Sequence, residues 1–224
     1  MASQFRYEVD IVLVIDATGS MHHLLDEVKA NALRFHDDLQ AEMFAKDKEI
    51  DKLRVRVIAF RDFWYDEEPL VESDFFVMPD EAEAYSRFVQ GIVASGGGDE
   101  PESGLEALAA AINSPWATGG SKRRQVIVLW TDASAHALER AQTGSPPAYP
   151  AGLPKDFDEL TDLWMGQGPM SAPARRLLMY APDATPWSSI GSYWDQNVHY
   201  MSRAGEGLQE VDYKAVLDAI SQSV

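Results

Sequence analysis

The sequence predicts an α/β fold with a doubly wound, mostly parallel central sheet that is flanked by helices. Two short apolar runs rich in β-branched residues, at 11–15 and 126–130, are typical of strands buried on both faces of a parallel sheet. Acidic and hydroxyl residues follow each run directly. The first run also leads through a polar loop into a long helical pattern, and this order of strand, loop and helix opens a doubly wound fold.

The elements before residue 80 follow from their hydrophobic periodicity. From Met21 to Met43, apolar residues recur at steps of four and three, which predicts one buried helix face. Residues 53–63 alternate apolar and polar side chains and then stay apolar, as a strand that enters the sheet from a solvated edge would. Residues 71–79 are predicted to pair with that strand as the one antiparallel edge strand.

Two helices are predicted on either side of the glycine-rich loop from their start signals. Asp80 is the expected N-cap of the first helix, and Glu83 completes a capping box. Asp99, with Pro101 and Glu102, is a start signal for the second. The second helix is expected to bury an apolar stripe of Leu105, Leu108, Ala109 and Ile112.

The chain beyond the second apolar run contains a long connection at 134–173, which compact domains use for function or for covering structure. It holds a Pro/Gly-rich loop and a predicted helix over 155–168. Further strands are predicted at 174–183 and 197–201. A C-terminal helix is predicted from the stripe Tyr213, Val216, Leu217 and Ile220. We expect a single domain over 1–224 with 134–173 as an insertion.

Charge and composition exclude several classes of protein. The 224 residues include 19 Lys and Arg against 36 Asp and Glu, a net charge of -17, so the protein repels nucleic acid and anionic membranes. The lack of cysteine excludes disulfides, thiolate nucleophiles and Cys-ligated zinc. Residues 1–10 lack the apolar core of a signal peptide, so we expect none, and no apolar run approaches the roughly 20 residues needed to span a bilayer. We therefore predict a cytoplasmic protein with neither nucleic acid nor membrane as a partner.

Oxygen-bearing side chains stand where the predicted strands and the glycine-rich loop end. Asp16, Thr18 and Ser20 follow the first strand, Asp132 follows the second apolar run, and Asp99 closes the glycine-rich loop. The carboxyl ends of parallel strands share one edge of the sheet, where ligands bind in open α/β folds. Oxygen ligands without His or Cys suit Mg²⁺, Mn²⁺ or Ca²⁺. These five residues are the predicted ligands of one divalent ion, with Mg²⁺ as the expected cofactor.

The stretch DATGS resembles the DxSxS motif of the von Willebrand factor A domain family, which forms the metal-ion-dependent adhesion site of that family. Asp16, Thr18 and Ser20 match the three motif positions, with Thr replacing the first Ser, and Asp132 matches the last acidic position. The chain is similar to the branch found with alpha-type kinases and bacterial relatives, where stretches like DATGSM, AFRD and GGGDEPE occur together in this order.

This resemblance implies a Rossmann-like A-domain fold and a metal-dependent protein–protein interaction module. It implies a cytosolic scaffold or adaptor without enzymatic activity, whose partner is another protein. A kinase, a phosphatase and an AAA-type ATPase are the partner classes that the resemblance suggests.

Asp99 falls at or near the position where the family has a threonine, and this departure leaves two alternatives. If Asp99 ligates the ion, its charge strengthens binding of the bare metal and weakens the attraction of the ion for a carboxylate of the partner. If Asp99 only caps the following helix, it does not touch the metal.

Two other functions compete with the interaction module. An acid after the first strand, with a hydroxyl two residues later, suggests a metal-dependent hydrolase of phosphatase type that uses Asp16 as the nucleophile. Enzymes of that type need an acid where this chain has Thr18, and the glycine-rich loop lacks the lysine of a nucleotide-binding P-loop. The third function is a purely structural domain with a vestigial site.

Several residues outside the predicted ligand set have two interpretations. His136 is either a hydrogen-bond partner of the site or an ordinary loop histidine, and Arg61 with Asp62 is either a pair beside the site or a surface ion pair. Four late aromatic residues either form a partner surface or cover the core: Trp164, Trp187, Tyr193 and Trp194.

Overall fold

The structure is a computed structural model that describes residues 6–98, 100–119, 122–147, 149–202 and 218. Seven strands form one sheet in the described part of the chain. They are β1 (Arg6–Asp16), β2 (Glu49–Phe60), β3 (Leu70–Glu72), β4 (Phe76–Met78), β5 (Arg123–Trp130), β6 (Arg175–Pro182) and β7 (Asn197–Ser202).

Five α-helices flank this sheet among the described residues. They are α1 (Leu25–Ala45), α2 (Ala82–Gly91), α3 (Gly104–Ile112), α4 (Phe157–Asp162) and α5 (Trp187–Tyr193). Short 3₁₀ helices lie at Gly19–His23 and Leu138–Thr143, and a π-type turn at Leu163–Gln167 continues α4. None of the described helices is both long enough and apolar enough to cross a bilayer.

The strand order is β3-β2-β1-β5-β6-β7, with β4 also paired to β2. The pairs of β1 with β2 and β5, of β5 with β6 and of β6 with β7 are all parallel. Only β3 and β4 run antiparallel, both against β2. The predicted doubly wound, mostly parallel sheet is therefore confirmed, and β1 and β5 are its central strands.

The antiparallel edge strand predicted as one unit over 71–79 is divided into β3 and β4. Ile58 pairs with Glu72 and Val55 pairs with Phe76, so four steps on the edge oppose three on β2. Between the two pairs, the Ser73 hydroxyl accepts a hydrogen bond from the Val57 amide at 2.9 Å and donates one to the Asp74 carbonyl at 2.8 Å. A side chain thus replaces a main-chain partner where the extra residue bulges out of the edge.

The two faces of the sheet carry separate hydrophobic cores. Helices α1 and α2 cover one face, and α3, α4 and α5 cover the other. The predicted face of α1 is buried as expected, although Met21 lies in the 3₁₀ helix that precedes it. Three of the four late aromatic residues cover the second core, with Trp164 and Trp187 fully buried and Trp194 nearly so, whereas Tyr193 is 77% exposed.

The predicted start signals around the glycine-rich loop were wrong in detail. Helix α2 begins at Ala82 with Glu81 at the N-cap position, and the Glu81 carboxylate accepts a hydrogen bond from the Val77 amide instead of capping the helix. Helix α3 begins at Gly104 with Ser103 at the N-cap position, so Asp99 does not start it. The Ser103 hydroxyl likewise does not cap its helix, because it accepts from the Phe63 amide and donates to Asp62. The predicted C-terminal helix stripe lies outside the described residues.

Phe35 and Phe44 lie on α1 and test its orientation, because Phe35 is 1% exposed and Phe44 is 83% exposed. Phe35→Ala should lower the free energy of unfolding by about 3–5 kcal/mol, since it opens a cavity in the core. Phe44→Ala should change it by about 0.5 kcal/mol or less. Urea unfolding of both variants measures the difference, and equal losses would contradict this orientation of the helix.

Candidate metal site

Four of the five predicted ligands meet at the carboxyl ends of β1 and β5, where two hydroxyls donate to two carboxylates and lie in contact with each other. The Thr18 hydroxyl donates to Asp16 Oδ1 at 2.6 Å and lies 3.1 Å from the Ser20 hydroxyl. The Ser20 hydroxyl donates to Asp132 Oδ1 at 2.9 Å. Side chains separated by more than a hundred residues in the sequence therefore form one cluster, as the strand order requires.

Asp16 is the most buried member of this cluster, with no exposed surface. One carboxylate oxygen accepts from both the amide and the hydroxyl of Thr18, and the other accepts from the Thr131 hydroxyl at 2.6 Å. Burial raises the pKa of Asp16 to about 6, although these hydrogen bonds lower it. Burial also raises the pKa of Asp132. Both carboxylates therefore carry a desolvation cost that a nearby positive charge would reduce.

The glycine-rich loop closes over the site with three consecutive residues of positive φ, Gly96, Gly97 and Gly98. The Gly19 amide donates to the Gly96 carbonyl at 3.1 Å, which ties this loop to the DATGS loop. A Cβ on Gly97 would lie 2.6 Å from Glu102 Oε1 and 2.7 Å from Thr18 Cβ. Only glycine fits both this backbone conformation and this close approach.

Glu102 is the principal residue of the site that sequence reasoning missed, since its position suggested only a helix start. It is 5% exposed, and its Oε2 atom has no hydrogen-bond partner among the described residues. Burial and the charges of four aspartates raise its pKa to about 9. Those aspartates are Asp16, Asp62, Asp66 and Asp132. Thr131, which donates to Asp16, was also missed, although its place directly before Asp132 is a visible signal.

The donor set of this site fits a divalent cation of the Mg²⁺ type. Two buried carboxylates, Asp16 and Asp132, and two hydroxyls, Thr18 and Ser20, offer only oxygen, the ligand atom that such ions prefer. The unpartnered Glu102 oxygen adds a third buried acid whose charge a cation would offset. The described part of the chain holds no group of three or more His, Asp or Glu side chains that could hold a metal ion. Asp99 lies outside the described residues, and its part in the site stays a prediction.

Asp62 lies beside the candidate site and contacts three other residues instead of pairing with Arg61. Its carboxylate accepts from the Trp64 amide and the Ser103 hydroxyl, and its second oxygen lies 3.3 Å from His136 Nε2. Arg61 donates instead to the carbonyls of Glu68 and Val93. The predicted Arg61–Asp62 ion pair is therefore wrong, and His136 is a buried partner of Asp62 rather than an ordinary loop histidine.

The connection after β5 supplies further side chains around Asp62 and the neighbouring Glu106. Arg140 lies 4.2 Å from the centre of the Trp64 ring and contacts His136. The Tyr149 hydroxyl donates at 2.9 Å to Glu106, whose pKa is raised by burial to about 7. The long connection therefore contacts acidic side chains beside the candidate site, Asp62 through His136 and Glu106 through Tyr149.

Comparison with known proteins agrees with this arrangement of strands. A sequence profile described as the von Willebrand factor A domain matches residues 10–143. The chain belongs to that family. The matched residues run from β1 to the end of the second 3₁₀ helix and include the whole hydrogen-bonded cluster of Asp16, Thr18, Ser20 and Asp132.

Individual proteins similar to this A domain come from diverse organisms. It is 25% identical over 158 residues to the alpha-protein kinase vwkA of Dictyostelium discoideum, a match that covers 69% of this chain and 23% of the kinase. A von Willebrand factor type A structure from Catenulispora acidiphila aligns with a TM-score of 0.50 at 14% identity, over 96% of this chain and 41% of that one. The pilus adhesin SpaC of Lactobacillus rhamnosus GG aligns with a TM-score of 0.43 at 18% identity, over 59% of this chain and 15% of that one.

Gly97 and Gly152 provide a test of the crowding around the site, because their φ angles are similar, +89° and +83°. No atom lies within 4 Å of a Cβ built on Gly152, so Gly152→Ala should cost only the backbone strain, about 1–2 kcal/mol of unfolding free energy. Gly97→Ala should cost at least about 1 kcal/mol more, because Thr18 and Glu102 must move. Thermal unfolding of both variants measures this difference, and equal costs would show that the loop does not press on the site.

Proposed function

We propose that this A domain is a metal-dependent protein–protein interaction module that acts as a cytoplasmic scaffold or adaptor. The observation that carries the proposal is the hydrogen-bonded cluster from Asp16 to Asp132, beside the unpartnered buried oxygen of Glu102. Such a concentration of buried acids at one edge of the sheet is stabilised by a bound cation. Asp16, Thr18, Ser20 and Asp132 would hold the ion, together with Asp99.

A bound Mg²⁺ would supply a positive centre that accepts an oxygen ligand from the partner protein. The chain itself supplies the geometry around that centre. Thr131 fixes the Asp16 carboxylate from behind, and Ser20, which is exposed, lies at the mouth of the cluster. Tyr65, which is 60% exposed, covers Gly98, so an aromatic side chain lies at the rim beside the acids. Exposed aromatic residues of this kind are common in protein interfaces.

The competing hydrolase of phosphatase type is less well supported by the environment of Asp16. A nucleophilic carboxylate needs an oxygen that can reach the substrate, yet both Asp16 oxygens accept hydrogen bonds and the residue has no exposed surface. Thr18 stands where such an enzyme needs its acid, and its hydroxyl is itself bound to Asp16. We therefore propose that the domain catalyses no reaction of its own.

The partner is proposed to be another protein, and the kinase relative suggests where to look for it. This chain matches 23% of the length of that relative, which is named an alpha-protein kinase. A kinase is accordingly one partner class to test, with a phosphatase and an AAA-type ATPase as the others. The net charge of -17 argues against nucleic acid and anionic membranes as partners.

Asp16→Ala should weaken Mg²⁺ binding by about tenfold or more, because a buried negative charge at the site is lost. Ser20→Ala should weaken it as well, and because Ser20 is exposed this variant should keep the fold. Calorimetric titration measures both affinities. At about 100 times its dissociation constant, the metal should also stabilise the wild type by roughly 2.7 kcal/mol.

The matched control for this titration is Asp158→Ala, which removes an exposed carboxylate from the first turn of α4. It should bind Mg²⁺ as the wild type does. Equal affinity in the wild type, Asp16→Ala and Ser20→Ala would refute the site.

Partner capture should depend on the same residues. Immobilised wild type and Asp158→Ala should retain a shared set of proteins from source cells in Mg²⁺, and both chelator and Ser20→Ala should release that set. Quantitative mass spectrometry of the four samples measures this.

The same preparations should not hydrolyse a phosphate monoester, and Mg²⁺-dependent hydrolysis that disappears in Asp16→Asn would instead support the phosphatase alternative.

A further inference from the structure

A cavity of about 280 Å³ lies at the amino-terminal edge of the sheet, at the opposite ends of the strands from the metal site. Tyr7 from β1, Lys122 directly before β5, and Arg123 and Arg124 at its start line the cavity, together with Ser171 from the loop before β6. Among the described residues that line it, none is acidic. In a chain with a net charge of -17, this local excess of cations needs an explanation.

The alternation of side chains along the strands sorts the charges at this edge. Arg124 and Arg176 lie two residues before Val126 and Leu178, which are buried in the core under α1 and α2, and Tyr7 belongs to the same face. The acids of this edge lie towards the other face. There, Asp10 forms a two-point ion pair with Arg54, and one Arg175 nitrogen, Nη2, donates to both carboxylate oxygens of Asp195.

Contacts around the Tyr7 ring hold the cations in place. The Lys122 ammonium lies 5.4 Å and the Arg124 guanidinium 5.9 Å from the ring centre, both within the range of a cation–π contact. Burial lowers the pKa of Arg124, and burial together with the charge of Arg124 lowers the pKa of Arg176. Arg124, which lines the cavity, and Arg176, which does not, therefore repel each other across neighbouring strands. The charge of Asp195 offsets part of this repulsion at Arg176, and an anion bound at Arg124 would offset more of it.

We propose that this cavity binds a phosphate group. Arginine presents a planar fork of donors that matches phosphate oxygens, and several cations around one cavity favour a dianion over a single carboxylate. The volume is slightly below the usual range of pockets for drug-sized ligands, about 300–1,000 Å³, which suits a compact group. Long polyanions are disfavoured, since the overall charge of the protein repels them at a distance.

The phosphate group has two possible sources with the same chemistry, a free small molecule or a phosphorylated side chain of another protein. The first test is a titration of the full chain with inorganic phosphate at constant ionic strength, followed by NMR or calorimetry. The wild type should bind, and Arg124→Gln and Lys122→Gln, which change two cations that line the cavity, should each bind about tenfold more weakly or worse, because each loses charged hydrogen bonds. Arg87→Gln removes an equal charge from the exposed surface of α2 and should bind as the wild type does.

The second arm compares a phosphoserine peptide with its unphosphorylated counterpart. Tighter binding of the phosphoserine peptide than of inorganic phosphate would support a protein source, and equal binding would support a free molecule.

Cooperative thermal unfolding of every variant checks that the fold is intact. Equal phosphate affinity in the wild type, Arg124→Gln and Lys122→Gln would overturn the proposal, as would absence of binding to the wild type. Binding of phosphatidylserine vesicles with which inorganic phosphate does not compete would also overturn it and assign the surface to membranes.

Discussion

The burial of the Asp16 carboxylate at the end of the central strand is the constraint on which the rest of the site depends. A carboxylate without water needs donors or a cation, and Thr18 and Thr131 supply three donor groups. These contacts fix the DATGS loop against the end of β5. They also place the Ser20 hydroxyl in contact with Asp132. The local shape of the loop is therefore set by the need to satisfy one buried acid.

The glycine-rich loop and the acids beneath it extend the same constraint. Gly97 approaches so closely that Glu102 is enclosed beside the aspartates, where its charge is unfavourable and its pKa is about 9. An assembly of like charges of this kind lowers stability unless a proton or a metal ion compensates it. The cation binding proposed above would reduce this repulsion and thereby stabilise the observed packing of the two loops.

The two ends of the parallel strands carry opposite charge environments. Buried acids collect at the carboxyl ends, around Asp16 and Asp132, whereas Arg124 and Arg176 lie at the amino ends on the face that holds Tyr7. At the carboxyl ends, Arg140 from the long connection after β5 lies over the ring of Trp64, beside these acids. One sheet therefore separates a proposed cation site from a proposed phosphate site by the length of its central strands.

The sequence by itself determined the doubly wound fold and the meeting of Asp16, Thr18, Ser20 and Asp132. Buried apolar strands and the parallel-sheet rule are enough to place those side chains at one edge. Only the tertiary structure decided the roles of Glu102 and Thr131, the bulge in the edge strand, the starts of α2 and α3, and the cavity at the amino-terminal edge. These features depend on strand register and on contacts between loops distant in the sequence, where side chains compete for partners that no local pattern contains.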